Sequence, residues 1–362
     1  MIDLASEPLD SRLVQHLLSS PIGDGGQFDM FVVSLLFPWI KKKNLVNKYG
    51  LVPHTVYPDV YSATSSSRLN WLLTTKLREN ALILRQLVNS SSNADSALVA
   101  KAKMMEGIYG AMVIAFGRPP KPEETFEWTY SDKDGKFHRL KTTPIEFYTS
   151  TGFVADNHFS LINDPRNEYN KLYTVDRLKN SNLYFPPVLR VLVSEGMGVR
   201  YVNTTSKIMK SVAITMIKAN KPVFFGSDVG QFSNSDLGIM DTDLYNYTLG
   251  FNLTLNMTKA ERIHVRSSAM THAMVLTGVD LNEEGNPLKW RVENSWGENA
   301  GQEGYFLMTD EWFDEYVYQI VCHCSDAPKE LAEVFKAGHP IVLKAWDPMV
   351  WNDYRYANVR VH

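Results

Sequence analysis

Residues 268–308, SAMTHAMVLTGVDLNEEGNPLKWRVENSWGENAGQEGYFLM, constrain this chain more than any other stretch. His272 opens an apolar run that continues to Val279, and a polar turn (Glu283-Glu284-Gly285-Asn286-Pro287) separates it from a second run, 288–292. The second run ends in Glu293-Asn294-Ser295-Trp296-Gly297. Both have strand length and are bounded by turn residues, which predicts two β-strands joined by a short connection. Antiparallel pairing would set His272, at the start of one strand, beside Asn294, at the end of the other. An amide oxygen there could accept the ring N–H and fix the orientation and tautomer of the imidazole. That is the base-and-orienter half of a Cys-His-Asn nucleophilic set. The plainer reading of the same residues is a hydrogen-bonded histidine at a strand edge and a simple Asn-Ser turn before Trp-Gly.

The rest of the chain supplies context. A helix-like segment over 7–18 precedes Gly23-Asp24-Gly25-Gly26-Gln27-Phe28, a glycine turn opening into an apolar helix over 28–37. Pro38 stops that helix, and the basic stretch 38–47, with Lys41-Lys42-Lys43, interrupts the approach to Lys48-Tyr49-Gly50-Leu51-Val52-Pro53. Apolar residues at three-to-four spacing predict long helices over 68–88 and 94–116, joined tightly enough to form a helical hairpin. Asp132-Lys133-Asp134-Gly135 between Phe126-Glu127-Trp128-Thr129-Tyr130 and Lys136-Phe137-His138-Arg139-Leu140 predicts a β-hairpin. Further on, the pattern predicts an amphipathic helix over 204–219, a strand over 222–226, a short helix from Thr309 and an alternating strand over 318–324.

Composition narrows the function classes. A chain of 362 residues, 44% hydrophobic and 21% charged, can bury a large core. A formal net charge of -3 gives no overall pull toward nucleic acid, and no apolar run approaches the length of a membrane span. The two cysteines, Cys322 and Cys324, cannot make a disulfide framework, so a reducing compartment, the cytoplasm, is expected. They lie in a strand-like run and not at a helix N-terminus, where a thiol pKa would be lowered, and they read as structural. No residue set has metal-ligand spacing, no glycine loop suits a phosphate, and no cofactor is implied.

The series T-H-A-M-V-L-T-G, N-S-W-G and G-Q-E-G-Y-F-L-M resembles the papain-like cysteine peptidases in residue type, order and spacing. The helical pair, the F-E-W-T-Y/D-G-K-F-H hairpin, T-P-I-E-F-Y (143–148), F-G-S-D-V-G-Q-F (225–232) and A-W-D-P-M (345–349) narrow it to the bleomycin hydrolase group of that family. The resemblance spans roughly 9–349, outside the 38–47 interruption. It implies an α+β, papain-like fold with a large helical and hairpin insertion. The expected organisation is 1–60, a remnant of the helical lobe with the Gly-Gly turn; 61–170, the insertion; 171–325, the β-rich lobe; and 326–362, a C-terminal segment with a divergent tail.

By the same resemblance His272 is the catalytic base, Asn294 its orienter and Trp296 the cover over their hydrogen bond, while Gly25 and Gly26 bind substrate as an added strand. The group implies aminopeptidase-like amide hydrolysis of peptide substrates, hydrolysis of the carboxamide of bleomycin, and a homohexameric ring. In the family order the nucleophilic Cys and an oxyanion-hole Gln both precede the glycine turn, and neither is found there. A chain truncated at its N-terminus, lacking the nucleophile and its helix and inactive as written, is therefore expected. The residues after Met349 are longer and bulkier than the short family tail that limits access to substrates with a free amino end. Two other classes remain in view: a catalytically silent ring subunit, and a nucleic-acid-binding homologue, for which the Lys41–Lys43 cluster alone speaks.

Overall fold

The structure, a computed structural model, describes residues 1–2, 4–19, 21, 45–90, 94–176, 199–344 and 346–349. The Gly25-Gly26 turn, the helix expected over 28–37, residues 38–44 of the basic interruption and the tail from Val350 lie outside the described residues. Those described up to Ala155 form one compact unit and those from Asp156 onward a second.

In the first unit the expected helical pair is present as Ser67–Ser90 and Ala94–Phe116. Leu73, Ala81, Leu84, Ala97 and Ile108 are its buried apolar positions. Buried Arg85 donates to the backbone oxygens of Leu4 and Glu7, and the Asn89 amide donates to the Ala5 oxygen at 3.2 Å, so the first residues are tied to the long helix. The Arg78 guanidinium donates to the Leu18 and Ser19 oxygens at 2.7 and 2.8 Å, closing the C-terminus of the helix Arg12–Ser19. Residues 45–47 of the interruption are helical, within Leu45–Tyr49.

Strands β1 (Phe126–Ser131) and β2 (Phe137–Thr142) pair antiparallel about the predicted turn. Asp132 Oδ1 accepts the Asp134 and Lys136 N–H groups, and Gly135 takes the left-handed conformation (φ +76°) that closes the turn. A capping box, Thr143 with Glu146, and Pro144 in the first turn then start the helix Pro144–Ser150.

The second unit is built on one sheet. In chain order its strands are β3 (His158–Ile162), β4 (Lys171–Asp176), β5 (Arg200–Asn203), β6 (Val223–Ser227), β7 (Ser233–Asn234), β8 (Ile239–Met240), β9 (His272–Leu281), β10 (Pro287–Glu293), β11 (Tyr305–Thr309), β12 (Val317–His323) and β13 (Ile341–Lys344). Among the described residues they run side by side as β13-β4-β5-β3-β12-β6-β9-β10-β11-β8-β7. The pairs β13/β4, β3/β5 and β11/β8 are parallel and the others antiparallel.

Two apolar clusters sandwich this sheet. The larger joins Phe225, Met274, Leu276, Trp290, Val292 and Phe306 to the helix Ser206–Lys218 through Met209, Val212 and Met216. The smaller gathers Tyr201, Ile263, Met270, Tyr318 and Met349. Trp290 and Trp312 are fully buried, and each indole N–H finds an acceptor, Asp310 Oδ1 at 3.1 Å and the Gln231 oxygen at 2.7 Å. The strand β12 departs from the expected alternation. Val317 enters the larger cluster and its neighbour Tyr318 the smaller, and beyond a bulge between Val317 and Gln319 the larger cluster takes Ile320 and Cys322, so both faces of the strand are covered. A central strand has no solvent face for polar residues to occupy.

Close packing extends to the strand beside His272. A methyl group added at Gly226 of β6 would lie 2.3 Å from Met270 Sδ and 3.2 Å from Gln319 Oε1, both buried. Gly226→Ala is therefore expected to cost about 1–3 kcal/mol of stability in urea unfolding. Gly230→Ala, whose added methyl meets nothing within 4 Å, should stay within about 0.5 kcal/mol of the parent.

Candidate active site

His272 is the first residue of β9 and faces Ser227, the last residue of β6. Cross-strand partners share a face, so the imidazole and the Ser227 side chain lie on the same side of the sheet. The β9/β10 ladder carries two irregularities and ends at the pair Glu293–Val275. His272 is three residues beyond that pair on its strand and Asn294 one residue beyond it on the other, so they are diagonal and not directly opposite neighbours.

Their side chains nevertheless meet: His272 Nε2 and Asn294 Oδ1 are 2.9 Å apart. The same Oδ1 accepts the Ser295 backbone N–H at 2.8 Å. A backbone N–H can only donate, so the amide atom facing it must be the oxygen. The ring nitrogen facing that oxygen must then carry the hydrogen. In the neutral imidazole this makes Nε2 the donor and Nδ1 the basic atom. Asn294 is itself 8% exposed, its N–H donates to the Gly304 oxygen at 3.0 Å, and its Nδ2 is buried without a hydrogen-bond partner among the described residues.

Trp296 stacks on the imidazole with ring centroids 4.9 Å apart and planes 28° from parallel, and meets Phe306 edge-on at 6.0 Å. It is 45% exposed, so one face screens the histidine while the other meets solvent. The loop that carries Trp296 back to β11 depends on glycine. Gly301 has φ +62°, and a methyl group there would lie 2.5 Å from the Tyr305 oxygen. The structure thus brings His272, Asn294 and Trp296 together, while Gly25 and Gly26 lie outside the described residues.

Neither thiol joins them. Val317 of β12 pairs with Ser227, the cross-strand partner of His272, and Cys322 is five residues further along β12, paired with Phe159. At about 3.3 Å per residue that is on the order of 16 Å along the strand, and two strands across. Burial pushes the Cys322 thiol well above the usual range, and that of Cys324, beyond the end of β12, is also raised by burial. Among the described residues no group of three or more His, Cys, Asp or Glu side chains could hold a metal ion, and no helix is long and apolar enough to cross a membrane.

Sequence reasoning missed the buried polar set behind His272. The Ser268 hydroxyl lies 2.7 Å from Asp228 Oδ2 and 2.6 Å from the Tyr318 hydroxyl, and Thr271 Oγ1 donates to Asp228 Oδ1 at 3.3 Å. Lys259 Nζ donates to the Asp314 and Val317 oxygens at 2.8 and 2.7 Å and lies 4.8 Å from the Tyr318 ring centroid. An ionisable residue directly after the apolar strand Val223–Ser227 was the available signal, because a charge at that depth needs partners.

The sequence profile of the Peptidase C1-like family matches residues 1–350. Cysteine proteinase 1, mitochondrial, from Saccharomyces cerevisiae is 42% identical over 357 residues, covering 96% of this chain and 69% of the yeast protein. Bleomycin hydrolase from Homo sapiens is 41% identical over 352 residues, covering 95% of this chain and 71% of the human protein. The crystal structure of PepW from Lactobacillus rhamnosis matches with a TM-score of 0.83 at 42% identity, over 96% of this chain and 73% of that one.

Burial pushes the Asp228 carboxyl up to about 6, against the opposing pull of its polar contacts with Ser268, Ala269, Thr271 and Gln231. Between about pH 4, where an unfolded aspartate ionises, and pH 6 the folded state holds the extra proton. The stability contributed by that proton is complete below pH 4 and is lost as pH rises through 6. Unfolding free energies of the parent minus those of Asp228→Asn, measured in urea from pH 4 to 7, should fall with rising pH. A flat difference would show that Asp228 titrates as an exposed carboxyl does.

Proposed function

The chain belongs to the Peptidase C1-like family, and on that premise we propose that His272 and Asn294 are the base and its orienter in a cysteine-type peptidase of the bleomycin hydrolase type. The observation that carries the reading is the shared Asn294 oxygen, which assigns the proton to His272 Nε2 and leaves Nδ1 as the base. In the reaction a cysteine thiol gives its proton to Nδ1, and the thiolate attacks the amide carbon. The imidazolium, held by Asn294, then protonates the leaving amine, and water releases the acyl group by the reverse assistance. Trp296 keeps water off the Nε2–H···O bond, so the ring does not rotate away from the reacting proton.

The attacking thiol is neither Cys322 nor Cys324, which are the two cysteines of these 362 residues. Cys322 is remote from His272 by register, and burial disfavours both thiolates. The 362-residue chain taken alone is thus a silent member, with its base and orienter in place. Gly25 and Gly26 are the proposed substrate-binding turn, and peptides with a free amino end the proposed substrates. Self-association into a homohexameric ring fits the exposed apolar residues Leu249, Phe251, Leu253 and Leu255, clustered in one segment. The free thiols fit a cytoplasmic location.

Hydrolysis of a fluorogenic aminoacyl substrate, with and without a thiol alkylator, tests this reading in two arms. The 362-residue chain should give no alkylator-sensitive turnover. A version extended upstream with a Gln- and Cys-Trp-bearing segment from a relative should turn over, and His272→Ala in that version should cost on the order of 10⁶ in rate. Alkylator-sensitive turnover of the chain alone would give Cys322 or Cys324 the nucleophile's role. A folded extended version without turnover would end the peptidase reading.

A further inference from the structure

We propose that Asp228 is a positioning residue for His272: its carboxylate, bridged by Ser268 to Tyr318, holds the segment that delivers the imidazole to Asn294. The inference deepens the base-and-orienter reading and rests on it.

Between the helix Lys259–His264 and the start of β9, residues 265–271 make no sheet ladder. The Ser267 N–H and the Gln231 amide tie the start of the segment to Arg262 and the loop after β6, and one carboxylate ties its middle and end. The Ser268 hydroxyl has a single hydrogen; giving it to Asp228 Oδ2 makes Tyr318 the donor to Ser268, so the bonds run in one direction, Tyr318 to Ser268 to Asp228. The Thr271 hydroxyl donates to the other carboxylate oxygen, Asp228 Oδ1. Met270, between Ser268 and Thr271, is buried in the smaller cluster with Tyr318. Thr271 N–H donates to the Ser227 oxygen at 2.9 Å, and the next residue is His272.

Two hydroxyls from one short segment, those of Ser268 and Thr271, converge on Asp228, one on each carboxylate oxygen. An ionised carboxylate accepts both, whereas an amide would turn an N–H toward one of them. The carboxylate is anchored from behind, because the Asp228 N–H donates to the Tyr316 oxygen at 3.0 Å. The charged and titratable groups around this set are Tyr316 and Tyr318, with Lys259 over the Tyr318 ring and Arg262 over the Tyr316 ring. The base of β9 therefore hangs on a buried charge that the apolar packing of the sheet does not need. Together with the Thr271 N–H bond to Ser227 and the burial of Met270, it sets the height and rotation at which His272 leaves Ser227.

The readout is the tautomer of His272 in the full chain, labelled with ¹⁵N-histidine and observed by long-range proton–nitrogen correlation. The chain has nine histidines, and His272 is identified by the signal lost in His272→Gln. The parent should show the Nε2–H form, and Asn294→Ala should lose that preference. Asp228→Asn and the milder Ser268→Ala should each lower the ratio of the Nε2–H to the Nδ1–H form by roughly two- to tenfold, the range set by one hydrogen bond. A residue that only stabilises the fold would lower the melting temperature and leave the ratio unchanged. If both variants fold and keep the parent ratio, the positioning role is overturned while the pair stands. If Asp228→Asn does not fold, Ser268→Ala decides alone by the same criterion. A parent without tautomer preference, unchanged by Asn294→Ala, overturns both this inference and the base-and-orienter reading.

Discussion

Two donors, the Ser295 N–H and the His272 Nε2–H, converge on one side-chain oxygen of Asn294 at 2.8 and 2.9 Å, and the orientation of the whole site follows from that convergence. The backbone donor cannot reverse its role, so it fixes the amide, and the amide fixes the ring. Each bond alone is worth about 0.5–1.5 kcal/mol net. Burial of Asn294 raises the cost of breaking either, since a polar atom stranded away from water loses its solvation as well. Trp296 covers the bond from one side, and the sheet supplies the rest of the enclosure.

The sheet makes this local arrangement dependable. His272 and Asn294 stand at the ends of adjacent strands whose central residues, Met274, Leu276, Trp290 and Val292, are locked in the larger core cluster. Moving His272 by one residue would turn that apolar set away from the core. Register is therefore enforced by burial along β9 and β10, and the site inherits it. On the opposite face Met270, Tyr318 and Met349 pack together, so the approach to β9 is held from both sides.

Much of this was legible in the sequence because it is local. The β9–β10 hairpin, the β1–β2 hairpin and the two long helices announce themselves through turn residues and periodicity over short windows. The meeting of His272 and Asn294 followed from the ends of two neighbouring strands, although the irregular register that makes them diagonal has no sequence mark. Strand order did not show, since β12 lies between β3 and β6, and β13 beside β4, across long stretches of chain. Burial and not neighbouring sequence selects such partners. Nothing in the sequence marked the partners of Asp228, since its donors Ser268 and Thr271 lie some forty positions away.

This Peptidase C1-like chain has an oriented imidazole and two thiols whose pKa burial raises. A thiol paired with a histidine base reacts with alkylators even below neutral pH, because the imidazolium stabilises its thiolate. A buried thiol without such a partner reacts slowly and only as pH rises. The decisive measurement is the rate of iodoacetamide alkylation of Cys322 and Cys324 in the folded chain across pH 5–9, with and without His272→Ala. The expectation is that Cys322 is protected, that Cys324 reacts slowly with a rate that climbs at alkaline pH, and that His272→Ala changes neither. Rapid alkylation of either cysteine near pH 6, abolished by His272→Ala, would contradict it.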